Sequence, residues 1–405
     1  MKSYDVVVVG GGPAGAVAAR HATGVGARVL LIEQGDGSGE PARCTGLVSP
    51  RTLGLLGAST TSVLREIRGG TLHAPGGRIL NIRADTVKAV VLDRGRLNRE
   101  LIELAASAGV EVRTYTRAVA ATTGRVWTKH QGNKEELKTA VIIGADGPQS
   151  AIVSWFSLPH PTQLLVASQV VVTEDHLTPD GIEVFFGSDV APGFFAWAVP
   201  AEERCLRVGL AAPLGTDTTA LLARFLGRRF PGEVVERIRG VIPIGTVETT
   251  VGDGVLLVGD AAGQVKPTSG GGIYTGGMCA RIAGEIAGYA ALAGKPNRKT
   301  LAEYERRWQR EIGREFRFGL AAHRALSALS NSEIDAIFAA IDEPSILSLI
   351  AKKGDIDYPS RLVHSFLPYQ KLWPRLLALV TVLGGWGKIE ELARLSFAPC
   401  DHVTL

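Results

Sequence analysis

The sequence predicts an α/β chain with a dinucleotide-binding Rossmann unit, a second domain built on an antiparallel sheet, and a helical C-terminal region. Three observations predict it. A four-valine run, Val6 to Val9, leads directly into Gly10-x-Gly12-x-x-Gly15 and then an alanine-rich segment. Residues 163 to 250 switch to short β-type runs separated by Pro-Gly and Pro-Asp-Gly turns. Beyond residue 296, apolar residues recur at helical spacing. The expected division is 1–66 with 85–160 and 245–295 for the nucleotide domain, 67–84 with 161–244 for the sheet domain, and 296–405 for the helical region.

The first unit is read from its parts. Val6 to Val9 has the continuous apolar character of a strand buried on both faces, as in a parallel sheet. In such a unit Gly10 makes the tight turn, Gly12 lets the backbone approach a pyrophosphate, and Gly15 lets the helix pack close to the sheet. The helix that follows points its free N–H groups at the phosphates. Val29 to Ile32 is a second buried strand, and Glu33 ends it about 20 residues past the glycines, where an acid binds ribose hydroxyls. That acid disfavours a 2′-phosphate at this site, so FAD and NAD both fit.

Next comes a loop containing Arg43, Cys44, Thr45 and Gly46, placed to lie along an extended cofactor; the plain alternative for Cys44 is a reduced structural thiol. Arg51 to Leu56 reads as a helix. Ile67–Leu72 and Arg78–Ile82 read as a hairpin around Ala74-Pro75-Gly76-Gly77. Asp93-Arg94 precedes a helix from Leu97 to Ala108, with Gly109 suited to end it. By itself Arg94 reads as a surface arginine. Val126–Thr128 and Glu136–Ala140 read as hairpin arms. A separate buried strand from Val141 ends in Gly144-Ala145-Asp146-Gly147, and Asp146 then sits where open α/β sheets bind ligands.

The sheet domain is read as strands over Leu164–Thr173, Gly181–Phe186, Phe194–Val199 and Cys205–Ala212, followed by a helix from Thr218 to Arg228. Its aromatics, Phe185, Phe186, Phe194, Phe195 and Trp197, are either core or the wall of an apolar pocket. Ile242 to Gly245 returns to the first domain. Val255 to Val258 is a further buried strand ending at Gly259-Asp260, and Gly270-Gly271-Gly272-Ile273 opens a long helix. Asp260 is placed to hold a ribityl hydroxyl. The Gly271, Gly272 and Ile273 backbone at a helix start favours negative charge. Tyr304, Trp308, Ile312 and Phe316 form a stripe that reads as core.

Composition narrows the function. The 405 residues carry 44 basic and 40 acidic side chains, a net charge of +4 that gives no argument for nucleic acid. Mean hydropathy is +0.15, on the apolar side for a soluble protein. Cys44, Cys205, Cys279 and Cys400 have no metal-ligand spacing, so no metal site is expected and a reducing cytoplasm is the default. No leader is expected before the first strand, and no apolar run reaches the roughly 18 residues of a spanning helix. In the tail, residues 366–386 hold a short apolar run flanked by Lys371, Trp373, Arg375 and Trp386, a candidate for peripheral membrane contact.

Taken together, these stretches resemble the glutathione-reductase-type FAD fold in its para-hydroxybenzoate-hydroxylase-like branch, and within it the geranylgeranyl reductase family, which includes archaeal digeranylgeranylglycerophospholipid reductases. Arg43-Cys44-Thr45-Gly46-Leu47-Val48-Ser49 resembles that family's cysteine-glycine loop. Asp93-Arg94 with Leu97 resembles its D-R motif. Pro192 to Pro200 resembles its Y-x-W-x-F-P stretch, with Phe195 where tyrosine is usual and Val199 where phenylalanine is usual. The resemblance implies FAD contacts at Ala14, Glu33, Cys44, Arg94, Ala118, Asp260, Gly272 and Ile273, and a substrate pocket around Phe185, Phe195, Trp197 and Pro200. It implies saturation of isolated C=C bonds in an isoprenoid or prenyl-lipid chain, with Cys44 a candidate proton donor beside water and the flavin. With one glycine-rich nucleotide unit and no C-x-x-C pair, an external electron donor, ferredoxin or NAD(P)H, is expected. The alternatives are an FAD monooxygenase and a non-catalytic prenyl-binding flavoprotein.

Overall fold

The computed structural model describes residues 2–39, 44–173 and 178–366. Arg43, Cys400 and residues 367–386 of the candidate membrane segment lie outside them.

Two large sheets both contribute to the lining of a cleft, and a small three-stranded sheet packs against both. The first has the order Val251–Gly252, Val255–Leu257, Asn133–Gly144, Ser3–Val9, Val29–Ile32, Glu111–Arg113. Its centre is parallel, with Val6 to Val9 registered on Val29 to Ile32 on one side and on Val141 to Gly144 on the other. Strand order reverses between Ser3–Val9 and Asn133–Gly144, and ligands bind at the carboxyl ends of strands at such a switch point. The expected hairpin arm at Glu136–Ala140 and the buried strand from Val141 form one strand, Asn133–Gly144. Its first half pairs antiparallel with Arg125–His130 and its second half enters the parallel core. The change from charged to continuously apolar residues along it reflects those two environments.

The second sheet has seven strands, in the order Val234–Ile244, Gln163–Thr173, Cys205–Pro213, Ala196–Pro200, Gly181–Phe185, Gly69–His73, Ile79–Arg83. The antiparallel expectation holds for all but one pair: Gly181–Phe185 runs parallel to Gly69–His73. The edge strand Val234–Ile244 is longer than the Ile242–Gly245 return read from the sequence, because Glu236, Arg237 and Arg239 hide its period. Strand parity divides this sheet into two faces. Val170, Phe185, Ala196, Ala198 and Val208 pack under the helix Thr218–Arg229, while Leu165, Ala167 and Trp197 face the other way.

The helices Pro13–Gly24 and Ile273–Leu292 cross on the outer face of the first sheet. Small residues permit this approach. A Cβ on Gly284 would lie 2.2 Å from the Ala18 carbonyl oxygen, and one on Gly288 would lie 2.4 Å from Val25. The stripe Tyr304, Trp308, Ile312 and Phe316 is core, as read, and a π-turn at Gln309–Gly313 interrupts its helix.

Gly284→Ala separates helix propensity from packing. Propensity alone stabilises such a change by about 1 kcal/mol, but a backbone oxygen cannot move aside as a side chain would. The expected result is a net loss of about 1–3 kcal/mol, read as a lowered denaturation midpoint; an unchanged or raised midpoint shows that the helices are not in register as described.

Candidate cofactor and active site

The glycine turn is built by exclusion. Gly10 adopts φ +107°, and a Cβ there would lie 2.3 Å from the Ala145 oxygen. A Cβ on Gly15 would lie 1.8 Å from the Gly10 oxygen, so Gly15 serves packing and does not line the cleft. Gly12 faces open space, as a backbone that approaches a ligand must. Glu33 is held over this turn by two backbone donors, Gly11 N–H to Oε2 at 2.6 Å and Gly35 N–H to Oε1 at 2.7 Å. The role of Gly11 was not read from the sequence. Any Cβ on it would press on the Glu33 side chain at 2.9 Å.

Two adjoining cavities, of about 1090 and 440 Å³, run along the switch point and share Gly12, Glu33 and Asp260. The larger is lined by Gly10 and Ala118, the smaller by Ala14, Cys44, Arg94, Gly272 and Ile273. Ten of the thirteen sequence-read cofactor positions therefore line one continuous cleft. Gly15 and Gly271 stand behind it, and Arg43 is outside the described residues. A Cβ on Gly271 would press on the Lys266 side chain at 3.1 Å. Asp146 lines the larger cavity, but its carboxylate is taken up by Ser150 Oγ at 2.6 Å and the Ala151 N–H at 2.7 Å. It anchors the start of the short helix Ala151–Trp155.

Asp260 is set by a buried relay. Gln264 Oε1 accepts the Gly259 N–H at 2.9 Å, Gln264 Nε2 donates to the Tyr304 hydroxyl at 2.8 Å, and Tyr304 donates to the Leu257 carbonyl at 2.9 Å. Desolvation pushes the Asp260 carboxyl up to about 6, against a smaller lowering by the Arg94 guanidinium. Arg94 is buried, and its Nε and Nη1 have no hydrogen-bond partner among the described residues. Beneath the glycine-rich helix start, Lys266 forms a buried ion pair with Asp357 at 2.8 Å. Neither Gln264 nor Lys266 was singled out in the sequence, where isolated polar residues in a loop carry no signal.

The cysteine loop reaches the second sheet. Cys44 Sγ accepts the Gly46 N–H at 3.3 Å. Thr45 Oγ1 and Trp197 Nε1 both donate to Gln169 Oε1, at 2.9 and 3.0 Å. Arg207 Nη1 donates to the Thr45 carbonyl at 2.8 Å and the Leu92 carbonyl at 3.0 Å. Of the four expected pocket residues, Phe195 and Trp197 stand together, ring centroids 6.1 Å apart. Phe185 is a correction: it is 2% exposed and packs edge-on to Phe225 on the opposite sheet face. Pro200 follows the same parity as Ala196 and Ala198, so it too is corrected away from the pocket. Sequence alternation was blurred there because Phe185 and Phe186 are adjacent and one must face each way.

Comparison with known proteins fits this geometry. Residues 3–213 match the family model described as an FAD binding domain. The digeranylgeranylglycerophospholipid reductase 2 of Methanothermobacter thermautotrophicus is 34% identical over 379 residues, covering 89% of this chain and 98% of the relative. The digeranylgeranylglycerophospholipid reductase of Methanocaldococcus jannaschii is 33% identical, covering 84% and 91%. A geranylgeranyl bacteriochlorophyll reductase-like protein from Thermoplasma acidophilum has the same fold, with a TM-score of 0.81 at 23% identity over 94% of this chain and 100% of that one.

The cofactor is FAD, and the cleft fits it. The open Cβ position at Gly12 leaves room for a pyrophosphate, and the two unpartnered guanidinium nitrogens of Arg94 call for an acceptor supplied from the cleft. Asp260 then has opposite effects on stability and binding. Its folded-state value lies above the ordinary 3.8, so the folded apoprotein holds a proton that the unfolded chain releases. Stability falls as pH rises from about 4 to 6. Asp260→Asn is expected to raise the apoprotein melting temperature at pH 7 by removing a penalty of at most about 3 kcal/mol. It is expected to weaken FAD binding roughly tenfold or more, measured by flavin fluorescence. A variant that binds FAD as wild type does removes Asp260 from the cofactor contacts.

With its cofactor cleft, its cysteine loop and near end-to-end relatives above 30% identity in agreement, this chain belongs to the digeranylgeranylglycerophospholipid reductase family of FAD-binding proteins.

Proposed function

We propose that the protein is an FAD-dependent oxidoreductase that saturates isolated C=C bonds of a geranylgeranyl-type isoprenoid chain. The observation that carries this reading is the link Thr45–Gln169–Trp197, which joins the cysteine loop at the cofactor cleft to the aromatic strand of the second sheet. The monooxygenase alternative has less support, because the curated relatives are named as reductases.

Reduced FAD supplies a hydride; the chain must position an alkene, keep water away and provide for a proton. Trp197, Phe195 and the stacked Phe194 present a wall of rings. Such a wall recognises a hydrocarbon by area and excludes water, which strengthens any charge interaction inside. An unactivated alkene accepts hydride poorly, so protonation of the second carbon must accompany transfer. Cys44 is the thiol on the cleft. The Gly46 N–H bonded to its sulfur fixes the side chain on the cleft. The helix start at Gly272 and Ile273 directs N–H groups and a positive dipole end into the same cavity, where developing negative charge is stabilised.

We further propose an external electron donor, NAD(P)H or ferredoxin, and peripheral membrane contact through residues 366–386. Among the described residues no helix is long and apolar enough to cross a membrane. The membrane proposal is refuted if full-length protein does not float with liposomes.

The direct test incubates dithionite-reduced protein anaerobically with a geranylgeranyl lipid and reads product mass. Two added hydrogens per double bond support the reductase, and unchanged mass refutes it. Cys44→Ala is expected to lower the rate of alkene reduction about 100-fold, within the range of a lost general acid, with flavin reduction by dithionite unaffected. Equal reoxidation of the flavin by substrate in variant and wild type removes Cys44 from the proton path.

A further inference from the structure

The second sheet carries a cavity of about 330 Å³ that shares no residue with the cofactor cleft. His73 and Phe185 stack in it, ring centroids 4.2 Å apart. Arg224, Arg228 and Arg229, from the helix Thr218–Arg229, also line it. Arg224 and Arg228, four residues apart, are neighbours on the helix surface, and Arg229 borders the same cavity from the adjacent position.

These guanidiniums are uncompensated. Among the described residues, none of the three donates to a carboxylate or a carbonyl; Arg229 lies over the Phe185 ring, 5.0 Å from its centroid. The one carboxylate lining the cavity is Asp189, which forms no ion pair with them. Glu183 is nearby but is held by His73 at 2.7 Å. Arg228 and Arg229 sit in the last helical turn, where cations complement the helix dipole. That accounts neither for Arg224, a turn earlier, nor for the concave space all three border. Three like charges around one cavity repel one another unless an anion neutralises them, and guanidiniums match phosphate oxygens in geometry as well as charge. The volume suits a small phosphate ester and is too small for a long prenyl chain.

A row of packed rings leads from the cavity to the aromatic wall of the second sheet. Phe186 lines it, Phe186 lies 6.1 Å from Phe195, and Phe195 lies 6.1 Å from Trp197. We propose that this cavity binds the phosphate of a phosphate ester, and that it receives the phosphate head of a prenyl lipid whose chain runs along Phe186, Phe195 and Trp197. The first half stands by itself; the second rests on the reductase reading.

The test uses the FAD-loaded protein and the triple variant Arg224→Gln, Arg228→Gln, Arg229→Gln. All three positions are exposed, so the flavin spectrum and melting temperature are expected to match wild type. Calorimetric titration with glycerol phosphate is expected to show saturable binding that the variant weakens roughly tenfold or more. Steady-state kinetics then compare geranylgeranyl phosphate with geranylgeraniol. A KM raised by a similar factor for the phosphate alone, with kcat unchanged, supports the head-group role. Binding lost without any change in KM overturns that role and leaves a free phosphate ester as the ligand. No saturable binding, or equal binding by both proteins, overturns the site itself. If wild-type protein reduces neither compound, the reductase reading fails, while the titration still decides the cavity.

Discussion

The contact between the helices Pro13–Gly24 and Ile273–Leu292 is the constraint on which the cofactor end of this molecule depends. Each helix begins at the cleft, one after Gly12 and the other after Gly272. Their relative position is fixed where side chains are smallest, at Ala18 and Ala22 against Gly284 and Gly288. At that distance neither helix can slide without driving a Cβ or a carbonyl into its neighbour. The two N-termini, more than 250 residues apart in the chain, are thereby held on a single ligand path. Interiors packed this closely transmit strain, so a methyl group added far from the cleft is felt at both helix starts.

A second set of interactions joins the halves of the protein, and it is polar. Arg207 reaches from the seven-stranded sheet to carbonyls of Thr45 and Leu92, and Gln169 gathers Thr45 and Trp197 on one oxygen. Both side chains are buried, where a half-satisfied polar group is costly. Through the Gln169 oxygen and the Arg207 guanidinium they fix the cysteine loop relative to the aromatic wall. Among the described residues Gln169 Nε2 has no partner, so this network is open on the side of its amide nitrogen. A reaction that needs a hydrocarbon chain stacked against one reactive edge gains from such fixed walls, since small displacements of a bound alkene cost large factors in rate.

The candidate site was legible where its chemistry uses backbone or a fixed motif. Gly10, Gly12, Glu33, Asp260 and the Gly272–Ile273 helix start each follow a buried strand or open a helix, so their neighbours announce them. Arg94 gave no signal until its D-R motif was set beside a known family. Gln169, Gln264, Lys266 and Arg207 were not legible. They are single polar residues in β-runs or loops, and what they bond to lies as much as 162 residues away. Phe185 misled for a related reason: an aromatic pair in a strand shows that both faces are apolar, and does not show which one faces the cleft.

By itself the sequence determined the local units. Strand, glycine turn, helix and terminal acid follow from periodicity and from the conformations only glycine adopts, and these interactions span few residues. The tertiary structure decided which faces met. It linked Trp197 through Gln169 to the cysteine loop and turned Phe185 under the helix Thr218–Arg229. It paired Gly181–Phe185 parallel to Gly69–His73 and let one strand, Asn133–Gly144, serve two sheet environments. Those outcomes depend on contacts between distant segments, whose pairing is set by the burial and bonding of the whole molecule and not by any pattern within a segment.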